Sequence, residues 1–240
     1  MGKGGVGKTT VASIIAKGLA EKGVAVHLTT TDPANHLKYM EGLSDKIVVS
    51  NIDEKKELKR YSEEVLAKAR ETMNENDIAY VEEDLRSPCT QEIAIFRAFA
   101  EIVDKATEQV VIIDTAPTGH TLLLLDTTLS YHKEVQRTKG EVPNSVKELL
   151  PRLRDNSFTE VLIVTLAEAT PVFEASRLKN DLERAGIFNK WWVVNQSLLF
   201  SNTTNPLLQV RAQNEKRWIK SIMEISNNNC AVIPINRELL

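Results

Sequence analysis

Apolar positions along the chain recur with two alternating spacings. Short apolar or alternating runs predict strands, and longer stretches with apolar residues three or four positions apart predict helices packed by one face. Strands are predicted over 24–30, 47–52, 110–114, 161–166, 192–196 and 231–235, and helices over 10–22, 54–73, 77–85, 90–105, 121–135, 174–185 and 206–226. This alternation predicts an α/β fold, with a mostly parallel central sheet covered by helices on both faces.

One stretch departs from the pattern. Residues 134–156 are polar and include Gly140 and Pro143, so we expect this stretch to be weakly ordered. No repeat or low-complexity linker divides the sequence, and residues 1–240 are predicted to form a single domain.

A phosphate-binding loop opens the chain. Residues 2–9 read GKGGVGKT and fit the pattern G-x-x-x-x-G-K-[ST]. Glycines let several backbone N–H groups point at one anion, and the helix that follows adds its positive end. Lys8 is placed to reach the β- and γ-phosphates, and the Thr9 hydroxyl to bind Mg²⁺. Lys3, at the mouth of the loop, is predicted to serve a nucleotide held by a facing domain.

Polar residues that follow predicted strands extend this candidate site, because ligands of parallel sheets bind at the carboxyl ends of strands. Asp114 is predicted to hold Mg²⁺ or its water, with a helix-capping role as the alternative. Asp32 is predicted to orient or deprotonate the attacking water, with an ordinary turn aspartate as the alternative. Asn195 is predicted to contact the adenine edge, and Pro234 to pack beside the base.

Two soft ligands suggest a second site. Cys89 lies just before the predicted helix 90–105, and His120 follows Asp114 by six residues. Thiolate and imidazole suit a soft metal or a metalloid, although an inert thiol is the alternative for Cys89. The segment 115–121 joins the candidate Mg²⁺ ligand to this histidine, so we expect it to transmit the state of the γ-phosphate by changing shape.

Composition narrows the classes of partner. The net charge of −3 gives no electrostatic basis for nucleic acid or an acidic membrane as the main partner. The apolar runs are too short to span a bilayer, so no membrane insertion is expected. Two cysteines make no disulfide framework, which favours a cytoplasmic location.

Together these residues resemble the arsenical pump-driving ATPases, the ArsA family. That family belongs to the P-loop NTPases of the deviant Walker A type, which also include the targeting factors for tail-anchored proteins. Lys3 is similar to the signature lysine of this group, and the run DTAPTGHT at 114–121 narrows the resemblance to these two branches. The run RSPCTQEIA at 86–94 resembles the metalloid-binding cysteine region of the second half of bacterial ArsA.

The resemblance implies ATP hydrolysis coupled to efflux of arsenite or antimonite through a membrane carrier of the ArsB type. It implies ATP and Mg²⁺ as cofactors, trivalent arsenic or antimony as an allosteric activator, and a second ATPase half or homodimer partner. The protein would be cytoplasmic, and peripheral to the inner membrane when bound to the carrier. By residue match, the resemblance assigns binding of phosphate and Mg²⁺ to the loop residues Gly4, Gly5, Val6, Gly7, Lys8, Thr9 and Thr10. It assigns water activation to Asp32, the start of switch II to Asp114 and the adenine contact to Asn195. It assigns binding of the metalloid to Cys89 and His120.

Three departures from the family qualify this expectation. No second cysteine is an obvious metalloid ligand, no apolar strand precedes the loop, and family members usually continue beyond Leu240. We therefore expect that a strand is missing ahead of residue 1, and both a fused double domain and a homodimer stay open. The alternative function is an ATP-dependent targeting chaperone for tail-anchored proteins. Four methionines in all, the lack of a Cys-x-x-Cys pair and the charged stretch 54–85 argue against it.

Overall fold

The structure is a computed structural model, which describes residues 1–31, 37, 44–115, 143–201 and 203–235. The described strands are β1 (Val26–Thr30), β2 (Ile47–Asn51), β3 (Val110–Asp114), β4 (Leu162–Thr165), β5 (Trp191–Ser197) and β6 (Cys230–Pro234). The described α-helices are α1 (Lys8–Glu21), α2 (Glu54–Thr72), α3 (Glu75–Asp84), α4 (Pro88–Asp104), α5 (Asn144–Arg154), α6 (Ala169–Arg184) and α7 (Pro206–Ile225). Strands and helices alternate as the sequence predicts.

The strands form two three-stranded sheets in the orders β2-β1-β3 and β4-β5-β6. Every pair within them is parallel, as the strand–helix alternation predicts. Val26 pairs with Ile47 on one side and with Val110 on the other, so three strands end together at one edge. That edge carries the carboxyl ends of β1 and β3, where the sequence places the candidate Mg²⁺ ligand.

Helices cover both faces of the first sheet, which confirms the predicted layering. On one face, the small residues of α1 pack against Val26 and Leu28 of β1. On the other face, α4 packs large apolar side chains, including Phe96, against Val111 and Ile113 of β3. In the second sheet the core contains the apolar residues Ile163, Leu178, Leu182, Trp192, Val194, Ile219 and Ile222.

The two sheets meet at an apolar cavity instead of pairing into one continuous sheet in the described ranges. The cavity has a volume of about 400 Å³ and is lined by β3, β4, α1 and α4. Met1 bonds to β4 of the second sheet: its amine donates to Leu162 O (2.7 Å), and Val164 N donates to Met1 O (2.8 Å). Burial and the nearby Lys8 ammonium lower the pKa of the Met1 amine to about 5.

Two sequence-based expectations need correction. Residues 144–154, expected to be weakly ordered, form α5, because Val146, Leu149 and Leu153 make an apolar stripe that packs on α4. The helix predicted over 174–185 begins earlier, at Ala169. The helix predicted over 121–135, and residues 134–142 of the polar stretch, lie outside the described residues.

Candidate functional site

The phosphate-binding loop is anchored by its one apolar side chain. Val6 is only 1% exposed and packs with Val11, Val164 and Val193, so the second sheet supports the loop from below. Gly5 and Gly7 adopt left-handed backbone, with φ of 80° and 86°. Helix α1 begins directly afterwards at Lys8, which places the positive end of the helix at the loop.

Asn195 braces this loop. Its side-chain Nδ2 donates to Val6 O at 3.1 Å, and the side chain is buried. Gly7 makes room for this contact, because a Cβ added at Gly7 would lie 2.2 Å from Asn195 Nδ2. Sequence reasoning missed this role and assigned Asn195 to adenine, which stays a prediction. Pro234, predicted to pack beside the base, ends β6 opposite Ser197 and is exposed.

The two loop lysines lie in different surroundings. Lys8 Nζ donates to the backbone O of Lys3 at 3.1 Å, within the curl of the loop. Lys3 projects to the surface, where its Nζ lies 3.9 Å from Glu174 Oε1 and both side chains are about 40% exposed. An exposed ion pair of this kind contributes little to stability, so Lys3 is free to exchange partners.

Thr9 and Asp114, the two residues assigned to Mg²⁺ from the sequence, are in direct contact, and their role as Mg²⁺ ligands stays a prediction. Thr9 Oγ1 donates to Asp114 Oδ2 at 2.6 Å, and Asp114 is buried. Thr30 and Thr31, at the end of the neighbouring strand, both donate to Asp114 O, at 3.3 Å and 3.0 Å. A hydroxyl and a carboxylate are hard oxygen donors that suit Mg²⁺, so the residues present fit this ion. Sequence reasoning did not identify Thr30, although a threonine ending an adjacent strand was a usable signal.

The remaining predicted ligands are not brought together in the described structure. Cys89 lies in the first turn of α4 and is exposed. His120 and Asp32 lie outside the described residues. Across the described ranges, no group of three or more His, Cys, Asp or Glu side chains is arranged to hold a metal ion. The metalloid and water-activating roles therefore stay predictions.

A buried carboxylate beside the site was missed by sequence reasoning. Glu215 of α7 is 6% exposed and accepts hydrogen bonds from Ser197 Oγ and from the backbone N–H groups of Leu198 and Leu199. It lies on the buried stripe of its helix, with Ala212 and Ile219 as neighbours. A glutamate at an apolar position of a helical pattern was the signal that could have found it.

Helix length and hydropathy bear on membrane insertion. Within the part of the chain that the structure describes, no helix combines the length and apolar character needed to cross a membrane.

Comparisons with known proteins show which family this chain belongs to. The model of the anion-transporting ATPase family matches residues 1–151 and 130–238. The chain is 47% identical over 236 residues to an arsenical pump-driving ATPase of Escherichia coli, covering 98% of this chain and 40% of that protein. It is 33% identical over 258 residues to a putative arsenical pump-driving ATPase 2 of Aquifex aeolicus, covering 92% of this chain and 86% of that protein. It is 24% identical over 267 residues to the ATPase get3 of Schizosaccharomyces pombe, covering 93% of this chain and 80% of that protein.

The lengths of these relatives differ. The chain spans about two-fifths of the Escherichia coli protein but most of the Aquifex aeolicus protein.

Proposed function

The chain belongs to the anion-transporting ATPase family, and from this premise we propose that it is a Mg²⁺-dependent ATPase that drives efflux of arsenite or antimonite through a membrane carrier. The observation that carries the proposal is the 2.6 Å contact between Thr9 and Asp114 beside the glycine loop. A hydroxyl and a carboxylate held together next to a phosphate-binding loop are the parts that magnesium-nucleotide binding needs. The choice of arsenite or antimonite as the exported substance rests on the names of the relatives, which are arsenical pump-driving ATPases.

The proposed hydrolysis assigns a task to each residue. The loop N–H groups and the Lys8 ammonium bind the β- and γ-phosphates, because both are positive and converge at the start of α1. Thr9 and Asp114 hold Mg²⁺, which when bound offsets negative charge on the phosphoryl oxygens. Asp32 positions the attacking water, and Lys3 adds positive charge to a nucleotide across an interface between two ATPase domains.

The metalloid role is proposed for Cys89 with His120. An exposed cysteine in the first turn of α4 is accessible to arsenite or antimonite, whose soft centre prefers sulfur. One thiolate and one imidazole do not complete a site, so a second ATPase half or a second copy of the chain supplies the other ligands. We propose that the assembly works in the cytoplasm and is peripheral to the membrane while bound to a carrier.

Antimonite stimulation of ATP hydrolysis tests this proposal. We expect antimonite to raise the ATPase rate of the wild-type chain, with the effect growing as protein concentration favours pairing. The stimulation should disappear in Cys89→Ser and persist in Cys230→Ser, a matched control at the other cysteine. ATP hydrolysis that antimonite does not change would refute the metalloid role. No hydrolysis at any chain concentration would refute the ATPase role.

The alternative function, targeting of tail-anchored proteins, rests on the similarity to ATPase get3, which the chain covers to 80% of its length. Such a role needs an extended apolar groove, yet the described helices α2 and α3 bury only Tyr61 and Ala69. Their other residues are mostly charged. Stimulation of ATP hydrolysis by an apolar helical peptide, in place of antimonite, would favour this alternative.

A further inference from the structure

The end of β5 carries an irregularity beside the phosphate-binding loop. Val194 pairs with Val232 and Ser197 pairs with Pro234, so β5 contains one more residue than β6 over this interval. Gln196 takes up the extra residue in a left-handed conformation, with φ of 55°, which is unusual for a side chain other than glycine. A bulge of this kind redirects neighbouring side chains and is costly to maintain unless the surroundings hold it.

The carboxylate of Glu215 provides that restraint. It reaches from α7 and accepts three hydrogen bonds, from Ser197 Oγ at 2.7 Å, Leu198 N at 3.0 Å and Leu199 N at 3.1 Å. All three donors follow the bulge directly in sequence. A buried carboxylate is retained only where donors satisfy it, and here the donors are the backbone that leaves β5.

The bulge is connected to the phosphate-binding loop through Asn195. This residue immediately precedes Gln196, and its Nδ2 donates to Val6 O inside the loop. The contact leaves so little space that only glycine fits at position 7. One hydrogen-bonded path therefore runs from α7, through the bulge of β5, to the loop that is proposed to bind phosphate.

We propose that Glu215 is a positioning residue for nucleotide binding. Its carboxylate fixes the bulge of β5, so that Asn195 stays against the phosphate-binding loop and presents one preformed surface to the base. This inference rests on the proposed ATPase function and adds to it a residue that touches no nucleotide. It rests also on the predicted adenine contact of Asn195, and it predicts a preference for adenine over guanine that depends on a carboxylate of α7 acting through Asn195.

The substitution Glu215→Gln tests this role with little change of shape. The glutamine amide has the same size but replaces one acceptor oxygen with an N–H₂ donor. That N–H₂ group would face one of the donors that follow β5 and could not accept a hydrogen bond from it. The bulge then loses its restraint, and Asn195 no longer has a single position. Ile222→Val is the matched control, because it removes buried volume from the same helix at a residue that makes none of the three hydrogen bonds to the bulge.

Binding of fluorescent mant-ATP and mant-GTP with Mg²⁺ gives the readout, with circular dichroism confirming that each variant is folded. We expect Glu215→Gln to weaken mant-ATP binding about tenfold, because nucleotide binding must then also bear the cost of ordering the Asn195 side chain. Mant-GTP binding should weaken much less, so the base preference narrows. Ile222→Val should keep the wild-type preference.

The outcomes distinguish failure of the proposed ATPase function from failure of the role proposed for Glu215. A folded wild-type chain that binds neither nucleotide would overturn the ATPase function and this inference with it. A wild-type chain that prefers mant-ATP, together with an unchanged preference in Glu215→Gln or an equal change in Ile222→Val, would overturn the inference alone. In a double-mutant cycle, Glu215→Gln should add little to Asn195→Ala, and full additivity would contradict action through Asn195.

Discussion

Replacing Gly7 with alanine should cost more stability than the same change at Gly5, although both glycines are left-handed. An alanine in this conformation costs about 1–2 kcal/mol at either position. At Gly5 the added Cβ meets no atom within 4 Å. At Gly7 it would lie 2.2 Å from Asn195 Nδ2 and would displace the side chain that bonds to Val6 O. Leaving that buried carbonyl unsatisfied adds about 1–3 kcal/mol.

Urea unfolding of the two variants measures the difference. We expect Gly5→Ala to lower the free energy of unfolding by about 1–2 kcal/mol and Gly7→Ala by about 2–5 kcal/mol. In a cycle with Asn195→Ala, the cost of Gly7→Ala should fall toward that of Gly5→Ala, because the displaced amide is gone. Equal costs for the two alanines in the wild-type background would refute the claim that Asn195 braces the loop.

Three further outcomes are expected from the fold. Stability should fall as the pH drops from 8 to 5, because burial lowers the pKa of the Met1 amine from 8.0 to about 5, and burial with Lys105 nearby lowers the pKa of His27. In this pH range the Met1 amine and His27 bind more protons in the unfolded chain than in the folded one. A urea midpoint that stays constant or rises on acidification would contradict these lowered pKa values. Leu178→Ala, in the buried core, should cost about 2–5 kcal/mol in urea unfolding, against less than about 0.5 kcal/mol for Leu207→Ala on the surface, and similar costs would refute the assigned core. A short apolar, β-branched extension ahead of Met1 should raise the melting temperature by packing into the cavity between β3 and β4, whereas a glycine-serine extension of equal length should not. Equal melting temperatures for the two extended chains would show that the cavity does not accept an added apolar segment.

The phosphate-binding loop and the position of Asp114 at the end of β3 could be predicted because both depend on local sequence. The glycines, Lys8 and Thr9 form a continuous motif, and an apolar strand that ends in Asp114 places the carboxylate at the sheet edge in any parallel arrangement. The contact between Thr9 and Asp114 follows from these two facts. Helix α5 was missed because its polar majority and Pro151 conceal an apolar stripe that becomes visible only against α4.

The brace on the loop could not be predicted, because it depends on long-range packing. Asn195 contacts Val6 from the irregular end of β5, and a bulge has no reliable signature in a single sequence. Glu215 carried a partial signal as a charged residue on an apolar helical stripe. Its donors lie on a separate element, so their identity required the packing of α7 against β5.

Calorimetric titration of MgATP into the folded chain tests the central claim most directly, which is that the glycine loop and the Thr9–Asp114 pair bind a magnesium nucleotide. We predict saturable binding of one nucleotide per chain that requires Mg²⁺ and is lost in Lys8→Ala. Lys17→Ala, an exposed lysine on the same helix, should bind as the wild type does. No binding heat in the folded wild-type chain, or equal binding by Lys8→Ala, would contradict the account.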